Sequence, residues 1–324
     1  MPDNDIKQNK EALAEEEKQE LEETPSEEAK SYDALIEEAR LDLFNTYTKS
    51  KRISNIIMIA VVIAICGIMF LIISNDAVLK IIGYSLLGVL VAGMILYYVL
   101  TRKKLPNKIK SYVPFVMKTL NDRTFSHQGF SSIESNEEEK LAMDDLVGDG
   151  VYADANSINS RNVVRGTYNG HHFLYAEAAL MRPSSKKQQV PPLFVGRYIS
   201  IPNQLKFDGR FVLSFKNPKQ PLDLPNAVSD LKVLEDKDDF SVYGPEDSNY
   251  HNVLNNKTLS SFKRLQIEGH LLNVNVVFWA GHTAAYLSYD DAILSVPFDK
   301  KFDKEAFEKS FEDLMICFNA MTEE

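Results

Sequence analysis

Two apolar runs dominate the chain, Ile53–Ile73 and Val78–Leu100, parted by the short break Ser74-Asn75-Asp76-Ala77. A bilayer's hydrocarbon core of ~30 Å takes about 20 helical residues to cross, and each run is long enough. Neither carries an ionised side chain except Lys80, near the start of the second run, where a long stem reaches the interface. The pattern predicts a transmembrane helical hairpin. Before it, Leu35, Ile36, Leu43, Phe44 and Tyr47 recur at near-helical spacing, which predicts an amphipathic helix over Tyr32–Lys49 leading into the membrane. Residues 1–31 are dominated by Glu, Lys, Gln and Ala, with almost no large apolar side chain. Such a segment does not bury enough surface to offset its ordering entropy, so it reads as a disordered or transiently helical arm.

After the hairpin the periodicity changes twice. Pro106 ends or re-aims the membrane helix. Ile109, Tyr112, Val113, Val116, Met117 and Leu120 then form a helical stripe, mildly interrupted at Pro114. Ser131–Lys140 is polar and reads as a loop or short helix. Strand patterns follow. Val163–Tyr168 and Phe173–Leu180 flank Asn169-Gly170, a strong signal for a tight β-hairpin. Further strands are expected at Leu193–Ile201, Phe211–Phe215, Leu231–Leu234, Phe240–Tyr243, Leu271–Trp279 and Ala284–Tyr289. A basic, polar loop is expected over Met181–Pro192 and a helix over Asp247–Arg264. A last helix starts near its N-cap Asp303, with Phe307, Phe311, Leu314, Met315 and Phe318 on its buried stripe. The expected class is α+β: a transmembrane helical hairpin followed by a cytoplasmic domain with a mainly antiparallel sheet and flanking helices. The expected divisions are an acidic arm over 1–48, the hairpin over 49–104 and the soluble domain over 105–324.

Charge sharpens this picture. The chain of 324 residues has a net charge of −10. Residues 1–48 hold fifteen acidic and five basic residues, and the remainder holds 31 of each. The acidity therefore belongs to the arm, whose simplest reading is a solvated tail and whose functional reading is bait for a basic partner. No basic stripe with interleaved aromatics points to nucleic acid. The two cysteines, Cys66 in the first run and Cys317 in the last helix, do not read as a disulfide, which fits a reducing compartment. The acidic start and about fifty polar residues ahead of the first apolar run do not read as a cleavable signal peptide.

Basic residues set the orientation. Lys49, Lys51 and Arg52 precede the hairpin; Arg102, Lys103 and Lys104 follow it, then Lys108 and Lys110. The loop between holds only Asp76 and the boundary Lys80. The positive-inside rule then places both flanks in the cytoplasm of a cell membrane, beside anionic lipid headgroups. Ala60, Ala64 and Gly67 on the first helix, and Gly88 and Ala92 on the second, let helix backbones approach closely. They pack the hairpin on itself or, alternatively, form a face for a homo-oligomer. With no interior ionisable residue, a pump or transporter is not indicated.

Candidate chemistry is sparse. His171, His172, His270 and His282 invite a metal, but adjacent histidines on a strand point to opposite faces and no His-x-x-x-His spacing supports one. Asp144, Asp145, Asp149 and Asp154 cluster around Gly148 and Gly150 without the spacing of a calcium loop. Asp236, Asp238 and Asp239 fit turn chemistry better than an acid–base pair. Trp279 reads as core or interface. Arg182, Lys186, Lys187 and Arg197 invite phosphate or lipid headgroups, though a solvated loop is the simpler reading. No nucleophile elbow, phosphate loop or dinucleotide fingerprint is present, and no cofactor is indicated.

Several runs resemble the bacterial family called domain of unknown function 3137. They are Asp144-Asp145-Leu146 through Val164-Arg165-Gly166 to Glu177, then Phe194-Val195-Gly196, Phe240-Ser241-Val242-Tyr243 with Asp247, and the late hairpin with the C-terminal helix. The likeness covers about residues 100–320. It departs from the family pattern ahead of Tyr250, where a basic residue is expected. It implies two transmembrane helices before such a domain and carries no activity and no functional residues. The expectation is a membrane-anchored protein whose soluble domain binds a protein, lipid-headgroup or small-molecule partner; the alternative is a membrane-tethered, hydrolase-like enzyme.

Overall fold

The structure is a computed structural model. It describes residues 31–322 apart from 102–103, 137–138, 148–149, 153, 183–190, 204–208, 217–230, 247–249, 253, 266, 268–270, 280 and 290–295.

The amphipathic segment and the first apolar run form one unbroken helix, α1 (Tyr32–Ile73), 42 residues long. At ~1.5 Å per residue it extends ~63 Å. No residue in it breaks the hydrogen-bond ladder, because Lys49–Arg52 are good helix formers and neither Gly nor Pro intervenes before Gly67. The polar break is a reversal: Ser74 Oγ accepts from the Asp76 amide at 3.2 Å, and Asp76 Oδ1 accepts from the Val78 amide at 2.8 Å, capping α2 (Ala77–Thr101). Both helices are long and apolar enough to cross a membrane, and their apolar windows are almost wholly exposed. The covered positions along the apolar run of α1 are Ile57, Val61, Ala64, Ile68, Leu71 and Ile72, the first five at a four-three-four-three spacing. That is the seam of two helices packed at a shallow angle. On α2 they include Gly83, where an added Cβ would stand 2.8 Å from Ile72 Cγ1.

The third helix, α3 (Lys104–Phe125), carries Pro106 in its first turn and continues through Pro114. It runs back along the polar half of α1. The chain then enters a nine-stranded antiparallel sheet in the order β1-β2-β3-β4-β9-β8-β5-β7-β6. The strands are β1 (Phe130–Asn136), β2 (Ser157–Tyr168), β3 (His171–Met181), β4 (Phe194–Pro202), β5 (Arg210–Lys216), β6 (Lys232–Asp236), β7 (Phe240–Gly244), β8 (Leu271–Trp279) and β9 (His282–Tyr289). A short helix α4 (Met143–Val147) precedes β2, and α5 (Asn256–Phe262) precedes β8. The chain closes with α6 (Lys304–Thr322).

The expected β2–β3 hairpin is present, with Asn169 at φ 50° and Gly170 at φ 86°, the left-handed pair that a two-residue turn requires. The sheet is covered on both faces, so β3, β4, β8 and β9 are buried nearly throughout instead of at every second residue. On one face α6, α5 and Phe125 cover Tyr175, Ile199, Leu213, Val276 and Leu287. On the other, the segment with Leu146, Val151 and Tyr152 covers Ala178, Tyr198, Val212, Val277 and Tyr286. In α6 the side chains of Phe307, Phe311, Leu314, Met315 and Phe318 are buried, and Asp303 Oδ1 accepts from the Ala306 amide at 2.9 Å as the N-cap.

Three sequence expectations change. The polar stretch after Ser131 contains the edge strand β1, whose exposed face tolerates Ser and Glu. The helix expected over Asp247–Arg264 is, among the described residues, a 3-10 turn at Tyr250–Asn252 followed by α5. It starts late because Asn255 caps it, accepting from the Thr258 amide at 2.8 Å. Arg197 is not in a solvated loop: it is buried in the middle of β4.

Candidate functional site

The polar half of α1 is bound into the sheet domain at its start and along its length. Ile36 and Leu43 are buried against Tyr112 and Val116 of α3, with Val296, Phe298 and Phe302 closing the cluster. Arg40 lies among them, holding Glu37 through two bonds of 2.8 and 2.7 Å and donating to the Phe298 carbonyl at 3.1 Å. Tyr32 donates to Glu308 of α6 at 2.5 Å, and Arg123 of α3 reaches the same carboxylate at 3.1 Å. Burial, then the bond to Glu308, raises the Tyr32 hydroxyl well above its ordinary pKa, so the phenol keeps its proton. Lys304 pairs with Asp33 at 3.1 Å. Nearer the apolar run, Lys108 reaches Asp42 at 2.8 Å and Thr46 at 3.0 Å. One helix thus ties α3, α6 and the 296–302 segment to the hairpin.

The basic flank sits just beyond this clamp. Lys49, Lys51 and Arg52 are exposed on α1 in the two turns before Ile53, and Lys104 begins α3. Arg102 and Lys103 lie outside the described residues. Of the small residues, Ala64 is half-buried on the hairpin seam, whereas Ala60, Gly67, Gly88 and Ala92 are exposed. An added Cβ at Gly67 or Gly88 would meet nothing within 4 Å.

A second feature was hidden in the sequence. Arg197 on β4 stands opposite Glu177 of β3, under α6. Its Nη1 donates to the Ser310 carbonyl at 2.8 Å, its guanidinium lies 5.5 Å from the Tyr289 ring, and its Nε has no hydrogen-bond partner. Glu177 is itself held by Arg161 at 3.0 Å. Burial works against the Arg197 charge, but Tyr175, Tyr289, Glu177 and Asp313 more than compensate and hold its pKa above the ordinary value. Burial pushes the Asp313 carboxyl up to about 6, against the pull of Lys309 and Arg197. Cys317, one turn on, is fully buried, and that burial raises its thiol, which makes it a poor nucleophile. Next to this group, Asn121 of α3 and Asn162 of β2 exchange bonds of 2.5 and 3.0 Å. Asn162 is placed for this by a β-bulge, at φ 56°.

The remaining candidates stay apart. His171 opens β3 with His172 next to it, and His282 opens β9 opposite Pro202, the last residue of β4; His282 stacks on Trp279 with centroids 5.5 Å apart. His270 lies outside the described residues. Among the described residues no group of three or more His, Cys, Asp or Glu side chains is placed to hold a metal ion. Asp145 accepts from the Ala142 amide at 3.0 Å as local turn chemistry, Asp144 is exposed, and Asp149 and Gly148 lie outside the described residues. Gly150 packs directly under the Arg210 guanidinium. Asp236 accepts from Ser241, while Asp238 and Asp239 sit exposed in the β6–β7 turn. Arg182 is exposed at the end of β3; Lys186 and Lys187 lie outside the described residues.

No family model matches the chain, nor does any curated protein or any solved structure.

Proposed function

We propose that the chain is a two-pass protein of the cell membrane, with both flanks of the hairpin in the cytoplasm and the sheet domain serving there as a binding module for a protein, lipid-headgroup or small-molecule partner. The observation that carries this reading is α1 itself: one half is exposed and apolar, and the other is buried in the sheet domain without a break between them. A flexible linker would suffice for mere tethering. A rigid helix clamped by Arg40, Tyr32 and Lys108 fixes the domain's height and rotation over the bilayer, which suits presentation of a surface to a partner. The exposed Lys49, Lys51 and Arg52 support a cytoplasmic flank through their attraction to an anionic leaflet. Membership of the family that the motif runs resemble belongs to the same proposal.

A tethered hydrolase would need an acid and a base converging in an open site. Among the described residues the one carboxyl pushed up in pKa is Asp313, on the buried face of α6, and the histidines of the strands, His171, His172 and His282, stand at the starts of β3 and β9. The binding reading therefore stands first.

Sidedness tests it. Cys66 is replaced by serine, a cysteine is added after Glu324, and intact cells are treated with a membrane-impermeant maleimide. Cys317 is fully buried and stays silent. A second protein with Asp76→Cys serves as the positive control. Labelling of the loop with protection of the terminus until lysis is expected. Labelling of the terminus in intact cells overturns the cytoplasmic assignment.

A further inference from the structure

The sheet face that packs on Leu146, Val151 and Tyr152 is apolar through Val212 and Val277, and then changes character. One row further along, β8, β5 and β7 present Asn275, Ser214 and Ser241, which are direct cross-strand neighbours and all fully buried. The next row adds Asn273 and Ser288, also neighbours and also buried. Five polar side chains on four adjacent strands fill a region where neighbouring rows are apolar.

Their hydrogen bonds do not close. Ser241 donates to Asp236, and Asn275 Nδ2 donates to the Tyr152 hydroxyl at 3.1 Å. The Oγ of Ser214, the Oδ1 of Asn275 and the Oδ1 of Asn273 have no partner. Turning the Asn275 amide over would give its oxygen the Tyr152 hydroxyl but leave its nitrogen alone, so one polar atom stays over either way. Buried acceptors without partners are costly, and three on two paired strands is a concentration that backbone geometry does not explain. Directly opposite side chains on paired strands have Cβ atoms about 5 Å apart, and those two residues apart on one face about 7 Å. Asn273, Asn275 and Ser214 are therefore close neighbours on one face of the sheet.

We propose that these oxygens form a binding site for a monovalent metal cation, sodium or potassium, with Asn273, Asn275 and Ser214 as ligands. The donor set is neutral amide and hydroxyl oxygen, which suits a singly charged hard ion. Among the described residues the carboxylate bonded to this row is Asp236, already engaged by Ser241, so the ligand oxygens themselves carry none of the charge that a calcium site needs. The site ties β8 to β5 near the middle of the sheet order and stabilises the fold by occupancy.

The test is thermal melting of the full-length protein in detergent, followed by Trp279 fluorescence, with choline chloride exchanged for sodium or potassium chloride at constant ionic strength. Saturation of a site present only in the folded state is expected to raise Tm by about 5 °C over choline. The isosteric change Asn275→Leu is expected to abolish this cation dependence, and Asn273→Leu supplies the same reading should Asn275→Leu not fold. A Tm that follows ionic strength alone, equal in choline, sodium and potassium, overturns the proposal. The oxygens would then be met from within, by water. An unchanged sodium response in both variants overturns it equally, because the ion then binds elsewhere.

Discussion

Leu43 is the residue on which the docking of α1 is most simply measured. Its side chain is 2% exposed and lies against Tyr112, Val116 and Phe298, away from the apolar half of the helix. Leu43→Ala removes three carbons, worth ~2.4 kcal/mol at ~0.8 kcal/mol per methylene. The space it leaves is walled by large rings that do not close readily, so a cavity penalty brings the cost to about 3 kcal/mol. The same change at Leu41, 43% exposed two residues away, should cost less than ~0.5 kcal/mol. The clamp is a local unit, so the loss should appear as local opening. Native-state hydrogen exchange read by mass spectrometry, with the protein in lipid nanodiscs, is the assay. Peptides covering 32–48 and 296–302 should exchange about 100-fold faster in Leu43→Ala, while those from β3, β4 and β9 stay as slow as before. Unchanged protection of 32–48 would refute the claim that the clamp rests on this cluster. Equal acceleration of the central strands would refute its independence from the sheet.

Three further outcomes follow from the same structure. Asp313 titrates near 6 when folded and near its ordinary value of 3.8 when unfolded, so its contribution to stability is present below pH ~4 and lost as pH rises through 6. Over two pH units that is on the order of 3 kcal/mol, and Asp313→Asn should flatten the slope of chemical-denaturation stability between pH 4 and 7 relative to wild type; parallel profiles would dismiss the assignment. At Gly196 on β4, an added Cβ would land on the Leu287 carbonyl oxygen of β9. Gly196→Ala should therefore lower Tm by more than ~10 °C in a fluorescence melt, a strain of several kcal/mol between two central strands. Gly170→Ala, in open space but at φ 86°, should cost only about 1 kcal/mol in the same measurement.

Most elements were legible because their signals are local. The apolar runs, Asn169-Gly170 and the Phe stripe after Asp303 each carry their periodicity or turn chemistry within a few residues. The continuity of α1 was not legible: the change from amphipathic to wholly apolar periodicity at Lys49 looks like a boundary, although nothing there stops a helix. The burial of Arg197 was not legible: the strand expected over Leu193–Ile201 contains it, but an arginine inside an apolar strand run is read by its charge, and a solvated setting was the simpler reading. That burial depends on Tyr289 and Ser310, about a hundred residues further along. The polar row Asn275, Ser214 and Ser241 was invisible for the same reason: each is an isolated polar residue in its own strand, and only the register brings the three together. The alternation in β8, with Asn at 273 and 275 among Val and Phe, was the one available signal.

The strand order sets a timetable for synthesis. β4 finds its second neighbour in β9, and α1 finds its clamp in residues 296–308, so neither half of the sheet is closed until nearly the whole chain has been made. The apolar pair of helices leaves the ribosome more than two hundred residues before α6 does. Chain growth therefore delivers the two apolar helices first, while the outer edge of β4 waits unpaired through some eighty residues of translation. An open apolar strand held for that long is where chaperone engagement or edge-to-edge misassembly would concentrate. On the proposed two-pass reading, early attachment to a bilayer keeps nascent copies apart in two dimensions, and overproduction faster than membrane insertion would remove that protection.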